Sequence, residues 1–110
     1  MTSQRSKEEY SIPTILLAKA DGELRRSIAD FIGKDGYVLE AHDQASTLHV
    51  VKTHSRHIDL LVIDEDMDEG DFTTRLVRHR AGMGVTFIPR NLPDGRVPEN
   101  VAAKICSGSA

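Results

Sequence analysis

The run Ile58-Asp59-Leu60-Leu61-Val62-Ile63-Asp64 constrains this chain more than any other stretch. Leu60 to Ile63 form an unbroken apolar segment with the length of a strand buried on both faces, the kind found in parallel sheets covered by helices. The segment stops at a carboxylate and passes into an acidic loop holding Glu65, Asp66, Asp68, Glu69 and Asp71. Parallel strands carry their functional side chains at the carboxyl ends, where loops open onto a crevice. Asp64 stands at such an end. Spacing alone leaves two readings: Asp64 caps the strand and its neighbours solvate the loop, or Asp64 is a reactive carboxylate.

The rest of the chain supplies partners for such a strand. Residues 1 to 12 are polar and without periodicity, a flexible lead-in. Pro13 opens a second apolar run, Thr14-Ile15-Leu16-Leu17-Ala18, which Lys19-Ala20-Asp21-Gly22 ends. Asp21 is placed to cap a helix beginning near Gly22, with Leu24, Ile28, Phe31 and Ile32 as its apolar face and Gly36 closing it. Arg25, Arg26 and Lys34 lie off that face. Tyr37 to Ala41 reads as a strand. His42-Asp43 turns into a second helix, roughly Gln44 to His54, with Ala45, Leu48 and Val51 on one side. Phe72, Leu76 and Val77 predict a third helix ending near Arg80, its exposed side made basic by Arg75, Arg78 and Arg80. Ala81 to Gly84 is a loop and Val85 to Ile88 a fourth apolar run. Pro89 to Pro98 is a turn-rich connection, and a last short helix from about Pro98 would turn Val101, Ala102 and Ile105 inward. Residues 13–106 form the domain, and 107–110 fray. Strand and helix alternate throughout, which predicts an α/β fold with a doubly wound parallel sheet.

Size and charge narrow the function. With 110 residues, 39% hydrophobic and 28% charged, the chain builds one core. A net charge of −3 gives no basic footprint for nucleic acid. No 18-residue apolar run suggests a membrane span, and the first eleven residues hold no apolar segment that could serve as a secretory signal. The single cysteine, Cys106, cannot close an internal disulfide, in keeping with a cytoplasmic protein. It reads as a small buried hydrophobe. His49, His54 and His57 cluster in sequence, but a helix separates the first two by about 140° around its axis. No carboxylate is spaced to complete a metal set with them. They read as a solvated face.

In this order the segments from Pro13 to Arg80 resemble the receiver domain of two-component response regulators, which has a flavodoxin-like fold. The likeness rests on Ile15-Leu16-Leu17 followed by Leu24-Arg25-Arg26, on Gly36-Tyr37-Val38-Leu39-Glu40-Ala41, and on the Ile58–Asp64 strand with Met67 and Gly70-Asp71 beyond it. The resemblance implies that Asp64 holds the phosphoacceptor position, receiving a phosphoryl group from a histidine kinase. It also implies a magnesium ion held by an acidic pair after the first strand, by the acceptor, and by the backbone carbonyl two residues later, here that of Asp66. Such chemistry needs a carboxylate nucleophile, a metal to neutralise charge, and a cation on the phosphoryl oxygens.

This chain departs from that pattern. Lys19 and Ala20 occupy the positions of the acidic pair, and Asp21 falls one residue late. An ammonium there repels a divalent cation and is placed to pair with Asp64, an attraction of roughly 4 kcal/mol at 4 Å in an intermediate dielectric before desolvation. Asp68 stands where a proline usually follows the methionine. The chain has room for about four strand–helix units instead of five. Val85 to Ile88 therefore represents either the fourth strand, putting Pro89 where a switching hydroxyl belongs, or the fifth, with Arg90 replacing a lysine. Arg90 is the nearest candidate cation in both cases.

The function these residues suggest is an atypical, non-enzymatic single-domain receiver. It would act through protein contact with a histidine kinase or another response regulator, with phosphorylation of Asp64 impaired or absent and no cofactor. Any weak magnesium site would use Asp64 and Asp66. The pocket would comprise Lys19, Ala20, Asp21, Asp66 and Arg90 around Asp64. A phosphorylatable sink or relay is the alternative. A magnesium-dependent phosphatase with Asp64 as nucleophile and Asp66 as acid/base is a more distant one. The missing unit leaves a sheet edge to be masked, so a homodimer or exchange of the C-terminal segment is expected.

Overall fold

The computed structural model describes residues 12–34 and 36–89. Four strands form one parallel sheet: β1 (Thr14–Ala18), β2 (Tyr37–Ala41), β3 (Leu60–Asp64) and β4 (Gly84–Ile88), in the order β2-β1-β3-β4. The helices between them are α1 (Gly22–Ile32), α2 (Gln44–Thr53) and α3 (Phe72–His79), and a single 3₁₀ turn, Glu65–Met67, follows β3.

Both faces of β1 and β3 are buried, which is why these strands read as unbroken apolar runs. Alternation then sorts their side chains. Leu16, Ala18, Leu61 and Ile63 join Val51, Phe72 and Leu76 of α2 and α3. Ile15, Leu17, Leu60, Val62 and Ile88 join Ile28, Ala29 and Ile32 of α1. The chain winds outward from β1 to β2 and then returns across β1 to β3, so strand order reverses between β1 and β3. In doubly wound sheets, ligand sites form outside the strand ends at that reversal. Here Ala18 pairs with Ile63 in register, so the next residue of each strand, Lys19 and Asp64, meets at the crevice.

β4 lies beside β3, in the fourth place of the flavodoxin-type order. Pro89 follows it directly. The strand also begins one residue earlier than the sequence predicts, at Gly84, where Leu60 Cδ1 lies 3.5 Å from the site a Cβ would occupy.

Other expectations need correction. Phe31 is 44% exposed while Ala29 is buried. The buried stripe of α1 runs through Ile28, Ile32 and Ala29, rotated away from Phe31, whose ring instead lies 5.9 Å from Lys34 Nζ. Gly36 does not end α1: the helix stops at Ile32 with Gly33 as its C-cap. Gly36 sits instead at a close approach, since a Cβ there would stand 2.8 Å from Ile15 Cδ1 and 3.1 Å from the Pro13 carbonyl. On α2, Ala45 is exposed and Thr47 is buried in its stead. The Thr47 hydroxyl donates to the Asp43 carbonyl at 2.6 Å, so the polar group is satisfied within its own helix. Arg80 does not extend the basic face of α3. It is half-buried and folds back onto α2 and the loop that follows. Arg90 and the helix from about Pro98, with Cys106, lie outside the described residues.

Candidate functional site

The side chains at the β1–β3 reversal are set by strand register. Lys19 is the first residue beyond β1, and its backbone N–H donates to the Ala41 carbonyl at 3.0 Å, extending the β1–β2 pairing by one step. Its Nζ donates to Asp64 Oδ2 at 3.0 Å, with side-chain exposures of 7% and 10%. The other oxygen, Asp64 Oδ1, accepts the Asp66 backbone N–H at 3.1 Å as the chain enters the 3₁₀ turn. Both oxygens of the carboxylate are therefore engaged, one by a buried ammonium and one by backbone.

A shallow cavity of about 330 Å³ opens beside Asp64. Ala20, Gln44, Asp64, Asp66 and Glu69 are among its walls. Gln44 Nε2 donates to the Met67 carbonyl at 2.8 Å, tying the start of α2 to the loop after β3. Asp43 caps α2 with a reciprocal capping box: its carboxylate accepts the Ser46 N–H at 2.7 Å while the Ser46 hydroxyl accepts the Asp43 N–H. The Ser46 backbone N–H, and then its hydroxyl, hold the Asp43 carboxyl below the usual carboxylate range.

Of the residues singled out in the sequence, Lys19, Ala20, Asp64 and Asp66 come together here. Asp21 does not join them. It is exposed, and its Oδ1 accepts the Leu24 N–H at 3.0 Å as the N-cap of α1. Asp68 also turns to capping, accepting the Thr73 N–H at 3.0 Å at the start of α3. Met67 is buried in the core cluster beneath α2 and α3.

Sequence reasoning missed Arg25. Its Nη1 donates to the Lys19 carbonyl at 2.9 Å and its Nε to Glu40 Oε1 at 2.9 Å. The signal lay in Glu40, a charge within a strand otherwise read as apolar, one register step from the end of β2 opposite Leu17.

The donor set does not suit a divalent cation. Oxygen ligands are what magnesium and calcium require, yet the two residues following β1 offer an ammonium and a methyl group. The ammonium occupies one Asp64 oxygen directly. Among the described residues, no group of three or more His, Cys, Asp or Glu is arranged to hold a metal ion, and no helix is long and apolar enough to cross a membrane.

Against known proteins, no family model and no curated protein matches the sequence. Solved structures do match. The receiver domain of the hybrid histidine kinase CckA superposes with a TM-score of 0.63 at 23% identity, over 88% of this chain and 99% of that one. A CheY-like response regulator receiver domain from Methanospirillum hungatei JF-1 gives 0.60 at 16% identity, over 90% and 77%. A response regulator from Burkholderia pseudomallei, solved with a phosphorylated aspartic acid, a calcium ion and citrate, gives 0.59 at 13%, over 89% and 56%. The fold is that of the response-regulator receiver domain, with a sheet of four strands among the described residues.

Proposed function

We propose that this protein is a receiver-type module of two-component signalling that works by protein contact, with Asp64 neutralised internally by Lys19 in place of a metal ion. The observation that carries this is the 3.0 Å ion pair between Lys19 Nζ and Asp64 Oδ2, buried at the reversal point of the sheet. In a receiver, phosphoryl transfer to the acceptor carboxylate needs an attacking oxygen with an open approach and a cation to gather the developing charge. Here one oxygen is bound to the ammonium and the other to the Asp66 N–H. The acids of the following loop add negative charge at the mouth, which opposes entry of an anionic phosphodonor.

Asp64 accordingly serves as half of a structural pair, and phosphorylation is impaired or absent. The protein signals in the cytoplasm as a non-enzymatic binding partner of a histidine kinase or another response regulator, and it forms a homodimer, by direct pairing or by exchange of the C-terminal segment.

Incubation with magnesium and a small-molecule phosphodonor, followed by intact-mass spectrometry, tests the reading. The expected spectrum is unchanged. A clean gain of one phosphoryl group, abolished in Asp64→Asn, overturns it in favour of a phosphate sink or relay. Light scattering that gives a strict monomer at all micromolar concentrations removes the homodimer.

A further inference from the structure

The Lys19–Asp64 pair is held from a second side. Lys19 has its backbone N–H fixed to the Ala41 carbonyl, and its own carbonyl is gripped by Arg25 Nη1 at 2.9 Å. Arg25 is in turn anchored by Glu40 through its Nε, also at 2.9 Å. The guanidinium thus bridges three elements: the first turn of α1, the loop after β1, and β2. Its donors are fixed in a plane, so one side chain can satisfy a carbonyl and a carboxylate at once while losing little further freedom. With both the N–H and the C=O of Lys19 fixed, the direction in which its side chain leaves the backbone is fixed as well. That direction leads into the buried site where Asp64 waits.

We infer that Arg25 is a positioning residue for Lys19: the Arg25–Glu40 pair is the outer part of a two-part lock whose inner part is the Lys19–Asp64 ion pair. The inner pair is buried, at 7% and 10% side-chain exposure, whereas the outer pair is accessible at 20% and 33%. The state of Asp64 is therefore controlled from a rim that a partner or a salt solution can reach. This inference rests on the reading of Asp64 as neutralised by Lys19.

The test uses the full chain labelled with ¹⁵N and follows the Lys19 ammonium resonance. A buried, hydrogen-bonded ammonium exchanges its protons slowly with water, so this signal reports the lock directly and does not track overall folding. In the unaltered protein the resonance is expected to be visible and protected. In Arg25→Gln its exchange is expected to accelerate by about tenfold, the equivalent of one charge-assisted hydrogen bond, while the amide signals of β1 and β3 keep their positions. Glu40→Gln keeps an acceptor for Nε without the charge, and a smaller acceleration in the same direction is expected. Unchanged Lys19 exchange in both variants overturns the positioning role and leaves the ion pair standing. If Arg25→Gln fails to fold, Glu40→Gln alone decides by the same criterion. No protected Lys19 resonance in the unaltered protein sinks the ion-pair reading itself.

Discussion

Two cationic side chains are tucked into opposite ends of the sheet, and they do different work. At the carboxyl end, Lys19 faces a carboxylate, and the two charges cancel in a buried site. At the amino end, Arg80 faces neutral backbone: its Nε donates to the Val51 carbonyl at 2.6 Å, one Nη to the Arg56 carbonyl at 2.7 Å, and the other to the His54 carbonyl. These carbonyls belong to the last turn of α2 and the loop after it, where intrahelical donors run out. Arg80 therefore closes a helix end, with help from the negative end of the helix dipole. Loss of Arg80 leaves neutral acceptors that water can serve. Loss of Lys19 leaves a charge that water reaches poorly.

That contrast fixes the order of expected effects. Lys19→Met should be the most damaging, costing about 3–5 kcal/mol in urea unfolding because it strands the Asp64 carboxylate. The double change Lys19→Met with Asp64→Leu should recover most of the loss, since an apolar pair of similar volume avoids the desolvation cost altogether. A double variant as unstable as the single one would show that the pair acts through shape and not charge. Arg80→Ala should cost less, about 2–3 kcal/mol, and should raise hydrogen-exchange rates around residues 54 to 57 before those of β1. Equal acceleration in both places would erase the distinction between the two ends. Gly36→Ala, also at the amino end, should cost about 1–3 kcal/mol through the 2.8 Å approach to Ile15 Cδ1, measurable as a lower midpoint with an unchanged denaturant slope.

The smallest effect concerns pH and belongs to the carboxyl end. The Asp43 carboxyl is lowered in the folded protein by the Ser46 N–H and hydroxyl. Its contribution to stability is thus fully present above the ordinary carboxylate pKa and fades as pH falls through the lowered folded-state value. Asp43→Asn should flatten that acid limb slightly while leaving stability at neutral pH nearly unchanged. An unaltered acid limb would mean that other carboxylates carry it.

Much of the architecture was legible because it follows from periodicity. Leu60 to Ile63 announces a doubly buried strand and Thr14 to Ala18 a second apolar one, and the cap at Asp21 and the turn at His42-Asp43 announce where α1 and α2 begin. The misreadings came where two elements meet. Phe31 and Ala29 exchange roles because the face of α1 that packs on the sheet, with Ile28 and Ile32, takes in Ala29 and leaves Phe31 outside. Gly36 looked like a helix stop but answers to Ile15, a residue on another element. Arg80 looked like surface charge because nothing near it in sequence shows the carbonyls it will reach.

The candidate site divides the same way. By itself the sequence determined that a lysine follows β1, that an aspartate ends β3, and that no acidic pair is available where a receiver would hold its metal. It could do so because residue identity and strand length are local properties. The likeness to a receiver already placed Lys19 to pair with Asp64, and the structure bears this out across 45 residues of sequence. Only the tertiary structure decided that the pair closes to 3.0 Å in a buried site, and that Arg25 and Glu40 brace it from the rim. Sheet register and helix placement are set by the packing of the whole core, and no single segment encodes them.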